Sequence, residues 1–369
     1  MKFSCDLKLL NEVVSNVSLA ISSKSTIPAL EGVLLQCNNS ELTITGYNLE
    51  IGITKTIQVN QQEEGSIVLN ARLFSDILKK MPNQEILIAS DERFMTLIQG
   101  ADTEFHILGM AKDEYPDLPS IEDCISFELP EYLLKNMINQ TLFAISVNEQ
   151  TPILTGSLFD ISNGTMHVVS VDGYRVALRR EKVNVDKDIS FIVPGKTLAE
   201  LTKLLSDQQD QIAKINVCEK HILFEVDGYT MISRLLLGEY LDYKSAIPDG
   251  FSTRIHVEDA ILAQSIERTS IIINDRNKSP IKLETEGNSL ILSCESAIGK
   301  VNDRCEAQVE GNQIRIAFNN KYMIDALRHT DCDEIYIDMN GPLSPIKIIP
   351  VEGDQFLFLV LPVRLKNEN

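Results

Sequence analysis

No catalytic signature occurs in these 369 residues: GxSxG, GxGxxG, HExxH and paired Cys/His constellations are all missing. Five histidines are scattered (His106, His167, His221, His256, His329). Four fall in strand-like stretches or at their ends, where surface or hydrogen-bonded positions are expected and metal ligation is not. None of the seven cysteines stands as CxxC, and their number is odd, which points to free, mostly buried thiols in a reducing cytosol. The longest apolar run, Phe356 to Val363, is broken by Pro362 and is too short to span a bilayer. Met1 to Asp6 lacks the apolar core of a signal peptide, so a cytoplasmic protein without a membrane partner is expected. Positive charge is scarce as well. With 34 Lys and Arg against 53 Asp and Glu, the net charge of −19 excludes a surface coated for nucleic acid, although a local basic strip survives such a sum.

Two near-misses complete the list of absences. Val193-Pro194-Gly195-Lys196-Thr197 is placed like the end of a phosphate-binding loop, but Ser190 stands where the first glycine of that motif belongs. Asp331-Cys332-Asp333-Glu334 has carboxylates a metal would use, yet it lies between a helix and a strand, where a polar turn is ordinary. No cofactor and no metal are expected.

What is present is a repeat. Phe3 to Asp6, Phe127 to Pro130 and Ile255 to Glu258 each run into an apolar-periodic stretch. Superposed, the three stretches align Leu10 with Leu134 and Leu262, Val14 with Ile138 and Ile266, Val17 with Thr141 and Thr269, and Ile21 with Ile145 and Ile273. Steps of four, three and four put each set on one helix face. A period above one hundred residues is too long for a solenoid unit, so each copy reads as a domain with its own core.

Each copy continues in the same order. Strand-like runs follow the first helix: Gly32–Cys37 and Leu42–Thr45, Gly156–Ile161 and Met166–Val171, Ile281–Thr285 and Ser289–Ser293. Another strand then enters a second helix, predicted over Ala71–Met81, Lys196–Leu205 and Lys321–Thr330, with Asn70 and Asn319 as caps. More strands close each copy. The pattern predicts an α+β chain of three repeated domains, with antiparallel sheets and the helices gathered on one face, divided as 1–122, 123–250 and 251–369.

The second helices carry the functional signal. Arg72, Asp76 and Lys79, then Lys196, Glu200 and Lys203, then Lys321, Asp325 and Arg328 repeat one basic–acidic–basic spacing. One such helix alone reads as a solvated face with ion pairs. Three of them in a strongly acidic chain suggest a shared basic surface for a partner with regularly spaced anions, namely duplex DNA. Without interleaved aromatics or a groove-reading motif, the contact would be to phosphates and not to bases.

Several phrases support a resemblance that covers the whole chain: Met1-Lys2-Phe3, Glu114-Tyr115-Pro116-Asp117-Leu118-Pro119, Val171-Asp172-Gly173-Tyr174-Arg175 and Leu361-Pro362-Val363-Arg364-Leu365. Together with the triple layout, the sequence resembles the bacterial DNA polymerase III β subunits, the sliding clamps. The resemblance implies a non-catalytic processivity factor for chromosomal replication: two subunits joined head to tail in a ring whose helical inner wall surrounds DNA. It implies DNA-facing Lys24, Arg72, Lys79, Lys196, Lys203, Lys321 and Arg328. It also implies a partner-peptide pocket, with Leu154, Val171, Gly173, Tyr174, Arg175, Val176 and Leu241 on one side. Asn319, Tyr322, Leu343, Pro345, Leu359, Val360, Leu361, Pro362, Val363 and Arg364 would form the other. Partners would be the polymerase catalytic subunit, the clamp loader and other proteins with clamp-binding peptides of the Gln-Leu-x-Leu-Phe kind. The ring interface would use Phe105, Ile107, Ile271 and Ile272. Leu241 stands where the family commonly has proline, and Ser245 where a basic side chain is frequent. Two other classes stay open on the residues alone: an enzyme with an unrecognised carboxylate site, and a monomeric adaptor of three peptide-binding domains.

Overall fold

Asp6, Asn70 and Asn319 each turn extended backbone into a helix by the same device. Their side-chain oxygens accept from the N–H of Leu9 at 2.8 Å, Leu73 at 3.0 Å and Lys321 at 2.9 Å. Each bond satisfies one of the donors that a helix start leaves open, worth about 1 kcal/mol. The computed structural model describes every residue except 83–84, 186, 275–278 and 365–369. Six α-helices occur among the described residues: α1 (Leu7–Val17), α2 (Ala71–Lys80), α3 (Glu131–Leu142), α4 (Gly195–Leu204), α5 (Asp259–Ser270) and α6 (Asn320–Leu327). They recur as first and second helix of each repeat.

The first three aligned columns of the first helices are buried throughout. Thr141 and Thr269, which replace Val17 in the later copies, hide their hydroxyls by donating to the carbonyls of Met137 at 2.8 Å and Ser265 at 2.7 Å. The fourth column, Ile21, Ile145 and Ile273, is only half buried because α1, α3 and α5 have already ended. The third second-helix is also shorter than its sequence suggests, and leaves Arg328 as the C-cap.

Among the described residues the strands form four antiparallel sheets. A five-stranded sheet runs, edge to edge, through Asn60–Glu63, Lys2–Asp6, Glu85–Ser90, Met95–Gly100 and Thr103–Leu108. An eight-stranded sheet joins Ile125–Pro130, Ile212–Val217, His221–Val226 and Tyr229–Arg234 to Ile51–Gln58, Glu41–Tyr47, Gly32–Asn38 and Gly65–Asn70. A nine-stranded sheet joins Ile189–Pro194, Gly156–Ser162, Thr165–Val171 and Arg175–Lys182 to Phe356–Val360, Ile346–Pro350, Glu334–Met339, Thr253–Glu258 and Gln308–Gly311. The last sheet has four strands, Gly299–Glu306, Ser289–Ser296, Ile281–Thr285 and Arg315–Phe318.

Contacts divide the chain into two compact units, Met1–Lys135 with Lys196–Leu235, and Asn136–Gly195 with Leu236–Asn369. The middle repeat gives its strands to both. The first unit holds the five- and eight-stranded sheets, the second the nine- and four-stranded sheets.

The cysteines depart from the expectation of free thiols. Cys124 and Cys218 form a disulfide across a sequence separation of 94 residues. The cause is register: Ile125 pairs with Val217, so the two cysteines lie side by side just past the end of that ladder. Cys5, Cys37, Cys294 and Cys305 are buried free thiols, and Cys332 is exposed.

Candidate nucleic-acid interface and partner pocket

Arg72 and Lys79 on α2, Lys196 and Lys203 on α4, and Lys321 and Arg328 on or just past α6 are all exposed. Their carboxylates do not behave alike. Lys203 pairs with Glu200 of its own helix at 2.7 Å, as the spacing suggests. Lys196 instead reaches Glu50 at 3.8 Å, and Arg328 pairs with Glu267 of α5 at 2.8 Å. Arg72 and Lys79 make no ion pair among the described residues. Such exposed pairs are weak and salt-sensitive, so these cations remain available to phosphate. Lys24 lies in the loop beyond α1, exposed, and separated from the helix by the short 3₁₀ turn Ser18–Ala20. Gly195, the glycine of the failed phosphate loop, has a packing role. A Cβ there would sit 2.3 Å from Ile145 Cδ1 and 2.8 Å from the Thr155 carbonyl.

The second unit gathers most of the expected pocket residues. Val171, Val176 and Leu359 are buried in one apolar cluster, with Leu154 packed against it. The same cluster contains Tyr243, Ile153, Tyr240 and Ile247, which sequence reasoning missed. The Glu-Tyr pair at 239–240, which repeats Glu114-Tyr115, is a usable sign of Tyr240, whose hydroxyl donates to the carbonyls of Gly156 and Val169, both at 3.3 Å. Five of the expected pocket residues are large, apolar and exposed: Tyr174, Leu241, Leu343, Leu361 and Val363. Gly173 has φ +89°, a left-handed turn that glycine adopts readily, and Tyr174 after it is exposed. Val360 is fully buried in the core of the third repeat. Pro345 and Pro362 are half buried, and Arg364 is exposed.

The segment after the last strand is held at two points. Leu361 N–H donates to the Tyr174 carbonyl at 2.9 Å, and Val363 N–H to the Ala317 carbonyl at 2.7 Å. It is thereby tied to Tyr174 of the middle repeat and to Ala317 of the third. Leu365 and the tail Lys366 to Asn369 lie outside the described residues. Asn319 is spent on capping α6, and its amide oxygen takes both Lys321 and Tyr322 N–H groups. Tyr322 stacks on Tyr174 with centroids 5.9 Å apart, and the Arg175 guanidinium lies 4.7 Å over the Tyr322 ring. Burial raises the Tyr322 phenol above its ordinary value, and Asp172 adds to the shift.

The four residues expected at an interface are apolar and partly or largely exposed. Phe105 and Ile107 lie on Thr103–Leu108, an outermost strand of the five-stranded sheet. Ile271 is 78% exposed just past α5, and Ile272 packs partly against the core. The helix they follow touches Gly299–Glu306, an outermost strand of the four-stranded sheet.

Three copies of one helix-backed antiparallel fold make this a DNA-clamp architecture. Family descriptions of the DNA polymerase III beta subunit match in order: the N-terminal domain over residues 1–119, the central domain over 128–242 and the C-terminal domain over 244–364. The chain belongs to the DNA polymerase III beta subunit family. It is 36% identical over 377 residues to the beta sliding clamp of Bacillus subtilis, covering 99% of this chain and 100% of that protein. The beta sliding clamp of Halalkalibacterium halodurans is also 36% identical, over 379 residues, with 99% and 100% covered. Among solved structures, the Bacillus subtilis DNA polymerase sliding clamp superposes with a TM-score of 0.96 at 35% identity, covering 99% of this chain and 100% of that one. A putative DNA polymerase III beta subunit from Eubacterium rectale gives 0.95 at 32%, covering 98% and 99%.

Proposed function

We propose that the chain is a non-catalytic sliding clamp of the cytoplasm, which closes a ring around duplex DNA as a head-to-tail homodimer. In this reading it tethers the polymerase III catalytic subunit, the clamp loader and other proteins that carry clamp-binding peptides. The observation that carries the reading is a repeated strand junction. Ile51–Gln58 pairs with Tyr229–Arg234, and Arg175–Lys182 pairs with Phe356–Val360. Each junction joins the third strand of one repeat's meander to the last strand of the next repeat. The third repeat's counterpart, Gly299–Glu306, and the first repeat's counterpart, Thr103–Leu108, have no such neighbour among the described residues. Two copies supply both missing neighbours to each other, and the series of junctions closes with neither of these two strands left unpaired.

Basic residues recurring on the second helices then face one duplex without base contacts, while the acidic remainder repels it. The apolar cleft suits hydrophobic anchors of a short peptide, and a ring already on the template raises the effective concentration of whatever it tethers. The domains 1–122, 123–250 and 251–369 are the units of this ring. Retention decides the matter. Loaded protein stays on closed circular DNA at high salt and leaves once the circle is cut. Equal release from circular and linear DNA would overturn the proposal.

A further inference from the structure

In the third repeat, the acidic member of the basic–acidic–basic pattern has a partner its counterparts lack. Glu200 pairs with Lys203 one turn along the same helix. Asp325 Oδ2 instead accepts from Arg175 Nη1 at 2.5 Å. That guanidinium also donates from Nε to Asp172 Oδ2 at 3.0 Å and from Nη2 to the Phe143 carbonyl at 2.7 Å. Its plane lies over the rings of Tyr322 and Phe143, 4.7 and 5.4 Å from their centroids. All three nitrogens are engaged inside the protein and the side chain is only 11% exposed, so Arg175 has little left for a ligand. It braces. Asp172 holds the turn above it, accepting from Tyr174 N–H at 2.9 Å and Arg175 N–H at 3.1 Å. Tyr174 in turn stacks on Tyr322 and accepts from Leu361 N–H.

We propose that Asp325 serves two sites at once. Through Arg175 it positions the Tyr174–Tyr322 wall of the peptide cleft. Through its own charge, on a side chain 38% exposed between Lys321 and Arg328, it weakens the hold of α6 on phosphate. The inference rests on the clamp reading above, for the cleft and for the DNA-facing side of α6. The Arg175 guanidinium forks to three separate acceptors, one bond to each, and its two bonds to carboxylates are charge-assisted and geometrically demanding, so loss of the Asp325 acceptor moves the wall. Removing the carboxylate also adds one positive charge per subunit to a surface whose affinity follows charge.

The test uses the full-length protein, a fluorescein-labelled Gln-Leu-Ser-Leu-Phe peptide and a short duplex of mixed sequence. Asp325→Asn is expected to bind peptide about tenfold more weakly. The same variant binds duplex about twofold more tightly, with a steeper salt dependence. Arg175→Lys keeps charge but loses the fork, so peptide binding falls while duplex binding holds. Asp325→Glu recovers part of the peptide affinity and leaves duplex binding at the wild-type level. Opposite movements in Asp325→Asn separate this role from general damage, which would lower both affinities together with the melting temperature and overturn the proposal. Wild-type peptide affinity in both Asp325→Asn and Arg175→Lys would overturn it while leaving the clamp intact. Failure of the wild-type protein to bind the peptide would remove the pocket reading, and this inference with it.

Discussion

Asp259 opens α5 with a carboxyl that burial pushes up to about 6, only partly relieved by the hydrogen bond from Thr330 Oγ1 at 3.2 Å. The folded chain therefore holds this proton over a range in which the unfolded chain has released it. Its stabilising effect is complete below the ordinary carboxylate value, shrinks as pH rises from about 4 to about 6, and is gone above that. Asp259→Asn removes the titration but keeps an acceptor for Thr330. Relative to wild type, the variant is expected to melt higher at pH 7 than it does at pH 4. A melting difference that is the same at both pH values would show that the carboxyl ionises freely in the fold. Asp338 is a second buried acidic side chain, and it has cationic partners. It is almost fully buried, but Arg254 meets it with two bonds at 2.7 and 2.8 Å, and Lys347 lies 3.4 Å away.

At the level of elements, α4 is the clearest test of the basic columns. Reversing Lys196 and Lys203 to glutamate leaves the buried face of Leu198 and Leu201 untouched but places new carboxylates beside Glu50 and Glu200. Like-charge contacts of this exposed kind cost about 0.5 kcal/mol or less each, so melting should barely change. Duplex binding should fall severalfold at low salt and converge on wild type as salt rises, read by fluorescence anisotropy across a salt series. Unchanged binding would make these lysines an ordinary solvated face. The helices and their caps were legible because apolar spacing and an Asn before the first turn are local signals. So were the hairpin strands, whose alternation sits next to turn residues. The junction strands Ile51–Gln58 and Arg175–Lys182 are less legible: they are rich in Thr, Lys and Arg, and their importance lies in backbone pairing. Distant partners were equally hidden. Cys124 meets Cys218, and Arg175 meets Asp325, only once strand register has brought together positions about a hundred residues or more apart. The pocket residues came from resemblance, and the spacing of apolar residues alone would have assigned most of them to the core.

For the whole molecule, the two internal junctions make the proposed third one specific. In the first, Ile51 pairs with Ser233, the fifth residue of its partner strand; in the second, Arg175 pairs with Val360, again the fifth. Applied to Gly299–Glu306 and Thr103–Leu108 of a second copy, the same register pairs Gly299 with Ile107, Lys300 with His106 and Val301 with Phe105. Directly opposite residues share a sheet face, so Phe105 and Ile107 fall on the side of half-buried Val301, while exposed Lys300 and His106 fall together on the other. A slip of one residue would set Phe105 against Lys300 or Asn302 and bring the apolar side chains to the wrong face. Cysteines at Lys300 and His106, in a chain whose exposed Cys332 has been changed to serine, should therefore form an intermolecular disulfide under mild oxidation. The product would be a covalent dimer on non-reducing gels at micromolar concentration. Lys300→Cys with Glu104→Cys, two positions out of register, should cross-link poorly. Equal yields from the two pairs would rule out this register, and a monomer by sedimentation without any cross-link would remove the ring itself.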